Sequence, residues 1–132
     1  MNGDPHQATF EKTIAGASPE VRKLAQGLRK LIHSIHPVVV EVAWPRQGIV
    51  GFGVGPKKMS EHYCYISIQK THANLGFYYG TRLPAPSMLV EGTGKLLRHA
   101  KVKSEAQASN PHLRRMVGAA LEERRRALHL MK

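Results

Sequence analysis

The chain has 132 residues and carries 20 Lys+Arg against 9 Asp+Glu, a formal net charge of +11. With 42% apolar residues and one cysteine, it is neither a disordered basic tail nor a module stapled by disulfides or a cysteine-rich zinc site. No apolar run reaches the ~18 residues of a membrane span, and Met1 to Pro5 lack the charged and apolar stretches of an export signal, so a cytoplasmic protein with no membrane partner is expected.

Asp4-Pro5 reads as a helix start, a capping acceptor followed by a proline in the first turn. Phe10 and Ile14 then share a face, and Gly16 ends this short helix. Ser18-Pro19-Glu20 repeats the start signal. Val21, Leu24, Ala25, Leu28, Leu31, Ile32 and Ile35 follow at helical spacing until Pro37. The period then changes. Val38 to Trp44 is a β-branched run ended by Pro45, and glycine-rich Gly48 to Val54 reads as a second strand. Gly55-Pro56-Lys57-Lys58 is a turn signal. Tyr63 to Ile68 and Leu75 to Tyr79 form a strand pair around a short loop. Pro84 and Pro86 break the pattern, and Leu96 to Val102 is a last strand, entered through Gly92-Thr93-Gly94. Asn110-Pro111 opens a final helix. Its apolar arc holds Leu113, Met116, Val117, Ala120, Leu121, Ala127 and Leu128, with Arg124 projecting from the middle of that arc.

About five strands in sequence, mostly joined by short turns, imply an antiparallel sheet. The helices at the two ends must bury their stripes, and one face of the sheet can take them. The expected fold is α+β, a two-layer sandwich with the N-terminal and C-terminal helices on one face. No repeat or long linker divides the chain, so residues 1–132 form one domain with a core over about 8–128.

Several segments then resemble a known family. They are Phe10, Ser18-Pro19-Glu20-Val21, Val42-Ala43-Trp44-Pro45, Asn74 to Gly80, Leu89 to Lys95 and Arg98 to Val102. Together they are similar to the YdhG-like domain family over nearly the whole chain. The resemblance implies a small bacterial α+β domain of largely unknown function. One branch of that family is regarded as an intracellular iron chaperone by analogy with the frataxin shape, which makes an iron carrier an alternative for this chain.

An oxygen-ligated iron site of that kind needs a carboxylate cluster on the first helices. The first thirty residues offer Asp4, Glu11 and Glu20, set among Lys12, Arg22, Lys23, Arg29 and Lys30, which repel a free cation. Nitrogen and sulfur donors are His33 with His36 at a helix end, and His62 with Cys64, which alternation places on one strand face. The plainer readings are histidines at the negative end of a helix dipole and a small core cysteine.

Other chemistry finds no support. Gly92-Thr93-Gly94-Lys95 lacks the earlier glycine and the following hydroxyl of a phosphate loop. Gly51, Gly53 and Gly55 do not open a helix as a dinucleotide fingerprint does; they mark a strand that another group approaches closely. Asp4 is the only aspartate, and no paired carboxylates share a motif. No catalytic constellation and no cofactor are implied.

Two surfaces remain. Arg114, Arg115, Arg125 and Arg126 share the outer arc of the last helix and could track nucleic-acid phosphates; the plainer reading is a solvated face. The second surface is the free side of the sheet. Trp44, Phe52, Tyr65 and Phe77 sit on successive strands, and Tyr63, Tyr65, Ser67 and Gln69 lie opposite the Cys64-Ile66-Ile68 face. Arg124 could reach Glu41 or Glu91, or simply snorkel. The expectation is a non-catalytic binding module using Trp44, Phe52, Tyr63, Tyr65, Phe77 and Arg124 toward a small molecule, a protein, or a second copy of the chain.

Overall fold

A computed structural model describes residues 5–83 and 90–130. Helix α1 spans Pro5–Ile14 and α2 spans Pro19–Ile35. The Ser18 hydroxyl accepts from the Val21 amide at 3.2 Å, so the expected cap forms. Strands follow at Val40–Trp44 (β1), Ile49–Gly53 (β2), His62–Ile68 (β3), Ala73–Phe77 (β4) and Arg98–Val102 (β5). A one-turn helix, α3, spans Glu105–Ala108, and α4 spans Pro111–Ala127 with Asn110 capping the His112 amide. The expected cap Asp4 and the breakers Pro84 and Pro86 lie outside the described residues.

The five strands pair antiparallel in chain order, β1-β2-β3-β4-β5. Several details differ from the periodicity, among them β4, expected over Leu75 to Tyr79 but running from Ala73 to Phe77. Strand β1 begins two residues later than the β-branched run, leaving Val38 78% exposed. Strand β5 begins at Arg98 rather than Leu96, and α3 is too short to give a helical period. Between β1 and β2 a turn over Pro45–Gln47 closes on Gly48, whose φ of +65° suits a residue without a Cβ.

The register fixes the two faces of the sheet. One row aligns Glu41, Phe52, Cys64 and Phe77, and a second aligns Ala43, Val50, Ile66, Leu75 and Ala100. These rows meet the helices. Helix α1 packs on β1 and β2, α2 on β3 and β4, and α4 on β3 and α2. Phe10, Ile14, Leu28, Ile32, Met116 and Val117 join them in one buried cluster. At about 1.5–3 kcal/mol for each large side chain removed from water, this cluster is the main stabilising contribution. Glu41 lies within the layer and is held there by Arg29, whose Nη2 donates to Oε2 at 2.6 Å.

The other face carries the row Trp44, Ile49, Ser67, Asn74 and Lys101, and the row Val42, Gly51, Tyr65, Gly76 and His99. No described helix packs there. The fold is therefore the expected two-layer α+β sandwich.

One irregularity decides which side chains reach the open face. The β2–β3 register shifts between Phe52 and Gly53, so Cys64 pairs with Phe52 but His62 pairs with Gly53. Tyr63 is the extra residue of a bulge. It turns under the helices, where its hydroxyl lies 2.8 Å from His36 Nδ1. His62 turns to the opposite side of the sheet.

Candidate functional site: an aromatic basin on the open sheet face

The helix-free face is concave, with a basin of about 590 Å³. Trp44 and Ile49 line it from β1 and β2, Tyr65 and Ser67 from β3, Asn74 from β4 and His99 from β5. Tyr78, just past β4, and Leu97, just before β5, complete the walls, and Lys58 and Met59 form a rim from the β2–β3 loop. The volume lies in the range of small-molecule sites.

The walls are aromatic because glycines beneath them leave room. At Gly76 an added Cβ would lie 2.0 Å from Tyr65 Cζ, so the tyrosine ring rests directly on the backbone. At Gly51 it would lie 2.7 Å from His62 Nδ1 and 3.0 Å from Trp44 Cζ3. Of the alternating glycines, Gly51 is thus approached by the chain's own rings, Gly53 by the Glu61 carbonyl and Gly55 by the Glu61 carboxylate. Trp44 and His62 have centroids 5.9 Å apart, His62 and Tyr78 6.1 Å, and Tyr65 and Tyr78 5.1 Å, an edge-and-tilt cluster that locks the floor.

The charges of the basin follow from burial. His62 is completely buried, and desolvation depresses its pKa below the ordinary value, so the imidazole is neutral at neutral pH. Burial raises the phenols of Tyr65 and Tyr78, which remain protonated. The charged side chain of the lining is Lys58, whose ammonium stands 5.2 Å from the Trp44 ring centroid. No carboxylate is among the lining residues.

Polar capacity is left over. Both ring nitrogens of His62 and Oδ1 of Asn74 are buried with no hydrogen-bond partner among the described residues. Buried polar atoms in folded proteins are nearly always paired. Beside Asn74, across the strand, the Ser67 hydroxyl accepts from Gln69 Nε2 at 2.8 Å and keeps its own proton to donate.

The rim is tied down from the helix layer. Arg124, 4% exposed, sends Nη1 to the Ser60 carbonyl at 2.9 Å and stacks 3.6 Å from the Tyr79 ring centroid. The Tyr79 hydroxyl in turn donates to the Met59 carbonyl. Met59 holds a φ of +68°, uncommon for a residue with a side chain.

Of the six surface residues expected from the sequence, Trp44 and Tyr65 stand in the basin. Phe52 and Phe77 are fully buried beneath the helices, because they align with Cys64 rather than with Tyr65. Tyr63 is buried with them through the bulge. Arg124 reaches neither Glu41 nor Glu91; it pairs with adjacent Glu123, Nε to Oε1 at 2.6 Å, and holds the basin rim.

The histidine and cysteine pairs do not come together. His62 and Cys64 fall on opposite faces, against the alternation. His36 is engaged with Tyr63, and His33 Nε2 stands 3.2 Å from Glu41 Oε2, within ion-pair distance but not aligned for a hydrogen bond. Among the described residues no group of three or more His, Cys, Asp or Glu is placed to hold a metal.

On α4, Arg114 donates to Ser34 Oγ at 3.1 Å, Arg115 lies 2.7 Å from His112 Nδ1, and Arg126 lies 3.5 Å from Glu122 Oε1. Arg125 is half-buried. Sequence reasoning did not place Tyr78, His62 or Asn74 at this face; the glycines opposite the rings were the available signal. No helix among the described residues is long and apolar enough to cross a membrane. No protein-family model, curated protein or solved structure matches this chain.

Proposed function

We propose that the protein is a non-catalytic binding module whose site is the aromatic basin. The observation that carries this reading is the concave, ring-lined face, with Asn74 and its buried, unpaired oxygen in the lining and His62 buried beneath it. A sheet face meant only for water has no need of glycines shaped to seat rings, nor of polar atoms shut away from solvent. The lining contains no nucleophile–base pair and no carboxylate, which supports binding over turnover. We keep the YdhG-like resemblance within this proposal, on the residues that suggested it.

The basin supports a small ligand over an iron cargo. Its charged group is a lysine, and its other polar groups are amides, hydroxyls and one imidazole, not the oxygen cage that hard iron favours. The test is mass spectrometry under native conditions on protein purified without refolding. A co-purifying small molecule that is lost in Trp44→Ala supports the reading. Bound iron retained in that variant overturns it.

The exposed arginines of α4 give a second reading, nucleic-acid binding through Arg114, Arg115 and Arg126. A titration with random-sequence DNA and RNA at two salt concentrations decides it. Affinity that falls steeply with salt and with Arg114→Ala/Arg115→Ala favours that reading. No salt-dependent binding removes it.

A further inference from the structure

The two edges of the sheet are finished differently. At β5 the outer side is closed. Glu91 bridges His99 through both main-chain bonds, the Lys103 amide donates to Gln107 Oε1 at 2.6 Å, and Lys101 and Lys103 are exposed. Bridging segments and lysines of this kind keep an edge strand from pairing with another chain. Strand β1, at the opposite edge, has no lysine and no covering segment among the described residues.

Which main-chain groups β1 turns outward follows from the ladder. The Ile68 amide donates to the Gly48 carbonyl at 3.0 Å, so Gly48, Val50 and Phe52 bond toward β3, while Ile49, Gly51 and Gly53 bond toward β1. The partners of these three are Trp44, Val42 and Val40. The N–H and C=O groups of Glu41 and Ala43 therefore point away from the sheet, and no described residue takes them. Helix α1 packs on β2 as well as β1, above the pair rather than alongside it. The one charged side chain of the strand, Glu41, is held beneath the helices by Arg29. Val40, Val42 and Trp44 stand half-buried on the open face, and Val38 just before the strand is 78% exposed.

This edge offers no cation to an acidic segment, but it is complementary to itself. On a chain of net charge +11, it is a stretch where a second copy meets no like charge. We infer that β1 is a dimerisation edge, occupied by β1 of a second copy running antiparallel. A two-fold axis at Val42 sets Glu41 opposite Ala43 of the second copy, and every outward group of the two residues is then paired. Val42 faces its own image, and Trp44 lies across from Val40 of the second copy. Five strands from each copy join in one sheet, with all helices on one side and both basins on the other. The edge pairs in this way whatever the basins bind.

Sedimentation velocity on the full chain, from about 1 µM to about 1 mM, is expected to show monomer giving way to dimer, because the contact is small. Both copies are cationic, so association should tighten about threefold as NaCl rises from about 20 to 200 mM. Val42→Lys sets two ammonium groups side by side at the axis and should weaken the dimer by about tenfold or more. Amide hydrogen exchange is a second measurement, made on the unaltered chain. The Glu41 and Ala43 amides should exchange fast in dilute protein and slowly in concentrated protein, while those of Val40, Val42 and Trp44 are slow in both. A mass that stays monomeric at about 1 mM overturns the assignment. So does a dimer in which the Glu41 and Ala43 amides still exchange fast, or one that Val42→Lys leaves intact, because it is then built on another surface.

Discussion

At the scale of single residues, the basin depends on what glycine omits. Gly76→Ala drives a methyl into the Tyr65 ring, and we expect a loss of about 1–3 kcal/mol in urea unfolding. Gly76→Ala/Tyr65→Ala should recover part of it, so a double-mutant cycle should show strong coupling. Additive losses would mean that the ring is not seated on the backbone. His36 offers a second test. Burial, aided by the nearby positive Arg125, lowers its pKa from 6.5 to about 4. The unfolded chain takes up this proton near pH 6.5 and the folded chain only near pH 4. The stability contributed by neutral His36 is thus complete above pH 6.5 and is lost as pH falls from 6.5 to about 4, by about 3 kcal/mol at most. His62, also lowered, adds in the same direction. Unfolding curves measured across this window should show the loss, and His36→Gln should flatten it without removing the His62 part. Neither histidine was legible from composition or spacing, because both shifts come from where the bulge turns Tyr63 and His62.

Whole elements were more readable. The stripe from Val21 to Ile35 gave α2 its face, and the Ser18-Pro19 and Asn110-Pro111 pairs gave two helix starts, because capping is local chemistry. Ser18→Ala should cost about 1 kcal/mol, read from the denaturation midpoint. The strands were legible as runs but not as faces. Period-two reasoning assumes one residue per rung, and the extra rung residue Tyr63 exchanges the sides of everything before it on β3. Phe52 and Phe77 were misplaced for a related reason: which strand residue lies beside which is settled by pairing, and single-strand spacing carries no register. The β2–β3 loop is likewise fastened by a residue distant in sequence. Arg124→Met should speed amide hydrogen exchange at Ser60 and Glu61 while the protection of β3 and β4 is retained. Equal acceleration across the sheet would show that Arg124 supports the core rather than the rim.

For the molecule as a whole, the sandwich could be derived because two amphipathic ends and one sheet leave few ways to cover apolar surface. The basin could not, since concavity arises from twist, loop and rim together. The charge of +11 acts over the entire surface. Self-repulsion should make the melting temperature rise as NaCl increases from about 20 to 200 mM, over which the screening length falls to roughly 7 Å. A flat response would mean that local pairs such as Arg126 with Glu122 already neutralise the effect.

The sheet follows chain order, yet its cover is drawn from both ends: α1 and α2 precede every strand, while α4 follows the last. During synthesis the meander can zip together hairpin by hairpin as it emerges. Leu113, Met116 and Val117 arrive only with α4, and until then the part of β3 that α2 leaves uncovered has no roof over it. A ribosome stalled before Pro111 would hold a nascent chain with a greasy flank, a natural client for chaperones, and emergence of Pro111–Ala127 would end that dependence.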